Sequence, residues 1–445
     1  MKMRIFITLL FTLLFASFSF ASFEELKQKI DPVVSVYISS ERNVGAIVGV
    51  IDRNNQANWS YGTLEIGKEK PISADTLFEI GSISKVFTGI ILASLANEGV
   101  VSLNDKISKY LNDLPLTTAE ITLVELSTHT SGLPRLPNNF NPIDIKNPYA
   151  DYTEDLLLKF IRNFIPEKHP TEFDLKYYSN VGVGLLGYIL TMASKKTYEE
   201  LLKENITRPL GMNDTAVSLK EDQLKRFALG YDAALEPTSP WDLNVLVGAG
   251  GIRSTAQDML KFVRANLLPD ETSISKPLKL AQEIQHTNKN LSIGLGWIRD
   301  SDEEKSLYFH NGGTGGYRSL VAFSHETGKG AISLTNTASE IGCIANIAVL
   351  GWECSPPKDY PVPDKLFDAY VGTYENSFLT FVITRKKTYL VYALVGQEKG
   401  RLTALSENKF SISGIATMEF HKNDEGQVSH MVFEQGSVKL ELQRK

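Results

Sequence analysis

The stretch FEIGSISKVFTG, Phe78 to Gly89, sets two serines and a lysine immediately before an apolar run. Beyond it Val86, Ile90, Ile91 and Leu95 recur at helical spacing, which predicts a helix from Ser82 to about Val101. On such a helix Ser82 and Lys85 share one face, one turn apart. Two readings are open: Ser82 caps the helix while Lys85 stays solvated, or the two form a reactive pair. A serine hydroxyl attacks well only after a base removes its proton. Lysine serves as that base when burial or a neighbouring cation lowers its pKa from about 10.4. The helix dipole would favour negative charge on the Ser82 oxygen. The SxxK spacing is weak by itself and needs partners.

Two partners stand further along the chain. In YYSNVGVGLLGYIL, Tyr178 can relay a proton and Asn180 can donate to a substrate amide carbonyl; the plain alternative is a turn and an N-cap. In YFHNGGTGGYRS, an edge strand runs into glycines that let backbone approach a ligand closely. There His310, Asn311, Gly312 and Gly313 would border the site. The Gly313 amide would join that of Ser82 as an oxyanion hole. The plain alternative is a glycine-rich hairpin with an exposed histidine.

The remaining chain orders itself around these motifs. FEELKQKIDPVVSVYISS reads as an amphipathic opening helix, and GAIVGVIDRNNQANWSYGTLE as two strands joined by a polar turn at Asp52–Asn55. A long helical and looped middle follows. LYFHNGG, YRSLVAFSH and GAISLTN read as strands and IGCIANIAVLGWE as a closing helix. CSPPKDYPVPD is a proline-dense linker. Past it, FLTFVITRKKTYLVYAL, KFSIS and ATMEFHKNDEGQVSHMVFEQ alternate like antiparallel strands, a module of roughly eighty residues. The expected division is a signal peptide over 1–21, a first domain over 22–354, a linker over 355–364 and an antiparallel β-domain over 365–445.

Composition narrows the function classes. With 42% apolar and 22% charged residues the chain is globular, neither disordered nor fibrous. MKMRIFITLLFTLLFASFSFAS reads as a secretory signal, with Lys2 and Arg4 ahead of an apolar segment and Ser19 and Ala21 at the cleavage site. Its removal takes the formal charge from −6 to −8, with 44 basic against 52 acidic residues. Such a protein gains nothing from counterion release on nucleic acid, so no nucleic-acid partner is expected. Export to the periplasm is, with no membrane anchor after cleavage and an unassigned oligomeric state. Cys343 and Cys354 can pair in an oxidising compartment or stay as small apolar residues. The seven histidines show no paired spacing, so no metal is expected.

Taken in order, SISK, YSN and HNG resemble the three catalytic motifs of the penicillin-recognising serine hydrolases, in the class C β-lactamase and DD-peptidase branch. LVELSTHTSGLP, ITRPLGMNDT, GAGGIRSTAQDMLKF and IGLGW join that likeness, which spans about Glu24 to Trp352. The C-terminal module resembles, through YVGTYE, the lipocalin-like β-domain appended to many members. The resemblance implies an α+β fold: an antiparallel sheet flanked by helices, a mostly helical subdomain, and a small antiparallel barrel-like domain after it. It implies Ser82 as acylated nucleophile, Lys85 as its base partner, Tyr178 as proton shuttle and Asn180 as amide-binding residue, with no cofactor. His310 stands where many members carry lysine. Histidine there occurs among the family's peptidases and, with a pKa near about 6.5, would be partly charged at neutral pH. The resemblance therefore favours a carboxypeptidase-like enzyme acting on D-alanyl-D-alanine-type peptides, with β-lactams as further acyl donors. A main activity as a class C β-lactamase, an esterase or D-aminopeptidase on the same residues, and a non-catalytic penicillin binder remain as alternatives. His129 is expected to be a structural hydrogen-bonding residue, and Trp297 a core residue.

Overall fold

The computed structural model describes residues 23–445 except 167–169, 289–290, 302–303, 356–357, 378, 395–398, 413–415 and 436–437; the expected signal peptide lies outside the described residues. Eight antiparallel strands form the main sheet, in the spatial order Gln56–Gly62, Gly45–Asp52, Lys329–Thr335, Arg318–Ser324, Ser306–Gly313, Ile298–Ser301, Leu291–Ile293 and His286–Asn288. The strand Gly45–Asp52 shows why its sequence is a continuous apolar run. Ile47 and Ile51 pack with one core cluster, while Ala46, Val48 and Val50 pack with another on the opposite face. A strand covered on both sides needs no polar alternation. The opening helix, 23–39, and the short helix before Gly351 cover one face. The helices Ser84–Asn97, Ala256–Leu267 and Ser275–Gln282 cover the other.

The helix Ser84–Asn97 is the hub of that second face. Every residue from Ser84 to Leu95 is buried, so the apolar periodicity read from the sequence marks only part of its packed surface. Phe87 stacks on Phe262 with ring centroids 4.2 Å apart, and Trp297, fully buried as expected, lies against Phe262. A mostly helical subdomain, including Leu123–Ser127, Glu154–Asn163 and Asn180–Ser194, packs beside it. Cys343 and Cys354 are joined as a disulfide, closing the end of the chain segment that covers the sheet.

After the helix Asp364–Tyr370, eight consecutive strands from Gly372 to Arg444 close into an antiparallel barrel, the first pairing with the last through Tyr374 and Arg444. Phe381, Phe410, Met418, Phe420, Met431 and Leu442 fill its inside, and Tyr370 of the helix stacks on Phe420 at 4.5 Å. Eight strands enclose just enough space for such side chains.

One backbone contact ties the hub helix to the sheet. A Cβ added at Gly89 would fall 2.0 Å from the Leu295 carbonyl oxygen. Overpacking a buried site typically costs about 1–3 kcal/mol, and rigid backbone puts this one at the upper end. The variant Gly89→Ala is expected to lower the melting temperature of the hydrolase unit by several degrees, read by differential scanning calorimetry, while the barrel transition stays in place.

Candidate active site

The hub helix is preceded by a tight helical turn, Gly81–Ile83, so Ser82 sits one residue before the helix's cap position, Ile83. Neither that turn nor the helix has a side-chain cap at its start, which excludes the cap reading of Ser82. The Ser82 hydroxyl remains partly exposed, while Lys85 behind it is 1% exposed. Lys85 Nζ lies 2.8 Å from Ser82 Oγ and donates to the Ala249 carbonyl at 2.6 Å. Burial, then the charge of Arg135, pushes the Lys85 pKa well below the ordinary lysine value. An amine whose pKa is lowered in this way is suited to exchange a proton with the Ser82 hydroxyl beside it.

Tyr178 reaches the same hydroxyl from the start of the helix Asn180–Ser194. Burial raises its pKa above the ordinary tyrosine value, opposed by a hydrogen bond with Ser82 and by the Arg135 charge. Four side chains surround the phenol ring: His129 at 4.2 Å and His310 at 6.3 Å between centroids, Lys85 Nζ at 4.9 Å and the Arg135 guanidinium at 5.4 Å. The Ser179 hydroxyl accepts from the Gly182 amide at 2.8 Å and donates to the Pro134 carbonyl at 2.7 Å. So the triplet is both an N-cap and a scaffold for Tyr178. Asn180 is partly exposed beside it, its own amide bonded to the Arg135 carbonyl.

His310 departs from the sequence reading in two ways. Its strand is interior, between Arg318–Ser324 and Ile298–Ser301, where an edge strand was expected. The last-named strand pairs only with Ser306–Phe309, so the segment 310–313 still presents an open edge. The ring is 1% exposed, not solvated or partly charged: burial and the neighbouring Lys85 lower its pKa to about 3. Its Nδ1–H therefore donates to the Asn311 carbonyl at 2.6 Å, and Nε2 is an acceptor with no partner among the described residues. Asn311 faces the other way and bonds Glu340 at 3.2 Å.

The Thr314 amide donates to the Tyr317 carbonyl at 3.1 Å inside the hairpin. Successive amides of a strand point to opposite edges, so that of Gly313 points to the open edge. A Cβ at Gly81 would lie 2.6 Å from the Gly313 nitrogen, and one at Gly312 would lie 2.0 Å from the Ile80 carbonyl. Only glycines let the Ser82 turn and this strand meet so closely. The backbone of Gly313 is thereby brought against the turn that carries Ser82.

Sequence reasoning missed the Ala249 carbonyl and the load on His129. GAGG, Gly248 to Gly251, was the available signal for close backbone approach. His129 has a left-handed backbone, φ 61°, which is uncommon for a residue of its type. Its Nδ1 accepts the Ser179 amide at 3.1 Å, and burial keeps the ring neutral.

The beta-lactamase family profile matches residues 26–350. The chain belongs to the beta-lactamase family. A beta-lactamase of Escherichia coli strain K12 is 29% identical over 354 residues, covering 72% of this chain and 90% of that protein. The D-alanyl-D-alanine-carboxypeptidase/endopeptidase AmpH of the same strain is 30% identical over 315 residues, 64% of this chain and 78% of its own length. Penicillin-binding protein 4* of Bacillus subtilis strain 168 is 25% identical over 412 residues, 85% and 90% of the two chains. A class C beta lactamase from Rhodobacter sphaeroides shares the fold, with TM-score 0.61, 23% identity and coverage of 70% and 95%. The chain is a serine hydrolase of this family, with a further barrel at its C-terminal end.

His129 supports Tyr178 from beneath, and asparagine could supply both the acceptor and the left-handed backbone. We expect His129→Ala to slow ester or lactam turnover about tenfold or more, through kcat with KM little changed. His129→Asn is expected to recover most of the rate, by steady-state kinetics on both variants.

Proposed function

We propose that this chain is an exported, carboxypeptidase-like serine hydrolase, acylated on Ser82 by D-alanyl-D-alanine-type peptides and by β-lactams. The observation that carries the reading is the buried Lys85 amine 2.8 Å from the Ser82 oxygen, its pKa held well below the ordinary lysine value by burial. In this mechanism Lys85 takes the Ser82 proton as the oxygen attacks the acyl carbonyl. The carbonyl oxygen becomes an oxyanion held by the Ser82 and Gly313 amides. Tyr178 gives its proton to the departing amine and regains one through Lys85. Asn180 holds the substrate amide, and the strand 310–313 offers its open edge to an extended acyl group. Water then attacks the ester, Tyr178 and Lys85 drawing off its proton and passing it to the Ser82 oxygen as the acyl–oxygen bond breaks and the acid leaves. The first domain over 22–354 carries these steps, and export follows the signal peptide.

The peptidase preference has separate support. A cationic lysine at the His310 position would attract a substrate carboxylate, whereas the neutral His310 ring offers only an acceptor. The Bacillus penicillin-binding protein and the Escherichia carboxypeptidase are among the relatives. No described helix is long and apolar enough to cross a membrane.

Three measurements test the reading. After penicillin exposure, mass spectrometry should find an adduct on Ser82, absent in Ser82→Ala. Release of D-alanine from a D-Ala-D-Ala peptide should exceed nitrocefin turnover. Fast lactam turnover with no alanine released would make a β-lactamase of it, and rapid cleavage of short acyl esters alone an esterase. Lys85→Ala should lower acylation about a hundredfold to ten-thousandfold, the range of a lost general base.

The pH profile is a separate check. The folded pKa values of His129 and His310 are both depressed, so each ring stays neutral as pH falls through the ordinary histidine range. Lys85 is depressed too, so its base form persists below the ordinary lysine pKa and is lost only as pH falls through the lowered value. The kcat/KM profile should therefore lose activity on acidification through one group, and the limb should move or vanish in Lys85→Ala but not in His310→Asn.

A further inference from the structure

The barrel supplies none of the groups just described, yet it is docked on the hydrolase unit at two places. At the first, Arg42 and Arg401 converge on Asp359 at 2.7 and 3.1 Å, and Arg401 also donates to the Ser40 carbonyl. The Arg401 guanidinium lies 4.1 Å from the Tyr389 ring centroid. At the second, Ala234 of the hydrolase unit forms a buried apolar cluster with Tyr389 and Val391 of the barrel. Lys386 pairs with Glu236 beside it. That ion pair is nearly half exposed, at 44% and 47%, and contributes little. At this second place the apolar contact outweighs the ion pair.

Ala234 sits on a loop with a stiff tip. The Asp232 carboxylate accepts from the Ala234 and Glu236 amides, both at 2.9 Å, and the Asp232 amide donates to the Glu236 carbonyl. Tyr231 donates to the Asn336 carbonyl at 3.0 Å, and Thr238 to that of Gly230 at 2.9 Å, closing the base of the loop.

The far side of this loop grips the hairpin that follows Gly313. A Cβ at Gly316 would fall 2.5 Å from Thr238 Cγ2 and 2.7 Å from Gly230 Cα. The Tyr317 hydroxyl donates to the Ala228 carbonyl at 2.6 Å. Where the loop ends, the Trp241 amide donates to Glu79, three residues before Ser82. The loop thus touches both segments that carry the Ser82 and Gly313 amides. Four of the five residues from Gly312 to Gly316 are glycines, and such backbone is too free to hold a donor in place without packing from outside.

We propose that the barrel is a positioning domain. Through Tyr389 and Val391 against Ala234, it presses the Asp232–Trp241 loop onto the Gly313–Tyr317 hairpin and fixes the Gly313 amide at the acyl carbonyl. The proposal rests on the reading of Ser82 as nucleophile. An oxyanion donor works only when held at the charge before it develops, so a small displacement is expensive in rate.

The test uses the full chain and two substitutions that approach the contact from opposite sides, Tyr389→Ala on the barrel and Ala234→Lys on the loop. Hydrogen exchange by mass spectrometry and the rate of Ser82 acylation by a chromogenic β-lactam are both read. In each variant, peptides covering 231–241 and 312–317 should exchange faster, while the helix Ser84–Asn97 stays as in the wild type. Acylation should slow about three- to tenfold, with KM little changed. Faster exchange confined to the barrel would overturn the proposal, as would a loosened hairpin with unaltered acylation. If the wild type acylates with no acyl donor, the functional reading fails on its own. The exchange measurement would then still decide whether the barrel holds the hairpin. Should Tyr389→Ala lose its barrel fold by circular dichroism, Ala234→Lys, with the barrel intact, decides alone.

Discussion

The structure depends on one unfavourable burial turned to use: a lysine amine enclosed by a helix that is packed on every side. A charged ammonium in that position would lose its hydration with too few partners to replace it. The helix is buried from Ser84 to Leu95, so the Lys85 stem has no path along which to carry its head to water. Burial accordingly pulls the amine's pKa well below its ordinary value. The Ala249 carbonyl accepts one of its hydrogens, and the Ser82 hydroxyl lies within proton-exchange distance. Burial here sets reactivity as well as packing.

The same logic extends to the neighbours. His129 and His310 are kept neutral by burial, and Tyr178 is kept protonated. The region around Ser82 is thus built largely of uncharged donors and acceptors, with the Arg135 guanidinium over one face of the phenol. In a site of low polarity, two backbone amides stabilise a developing oxyanion more strongly than they would in water. The fixed tautomer of His129, with Nδ1 held by the Ser179 amide, gives the phenol a defined platform.

Architecture divides these tasks. The sheet supplies the strand with the open edge, the hub helix the amine, the turn before it the hydroxyl, and the helical subdomain the phenol. Each comes from a different part of the chain, and the glycines at 81 and 312 permit the close approach that joins them. The barrel has its own core, centred on Phe410 and Phe420, and meets the remainder through ion pairs of arginines and lysines and a small apolar cluster at Ala234.

Much of this was legible in one dimension. Local periodicity marked the hub helix, the paired strands and the alternating C-terminal module, because those patterns follow from backbone geometry within a few residues. The order SISK, YSN, HNG marked the family, because each motif is short and contiguous. What the chain could not announce depends on distant neighbours. His310 is interior and uncharged because groups far away in sequence, Lys85 and Tyr178 among them, crowd around it. Ser82 precedes the helix proper because Gly81 must lie on Gly313. The Cys343–Cys354 bond and the closure of the barrel likewise required the folded chain. Sequence determined which elements form and which chemical groups they carry. Tertiary packing decided which of those groups lose their water, and with it their charge, since desolvation is a property of the assembled surroundings and of no single segment.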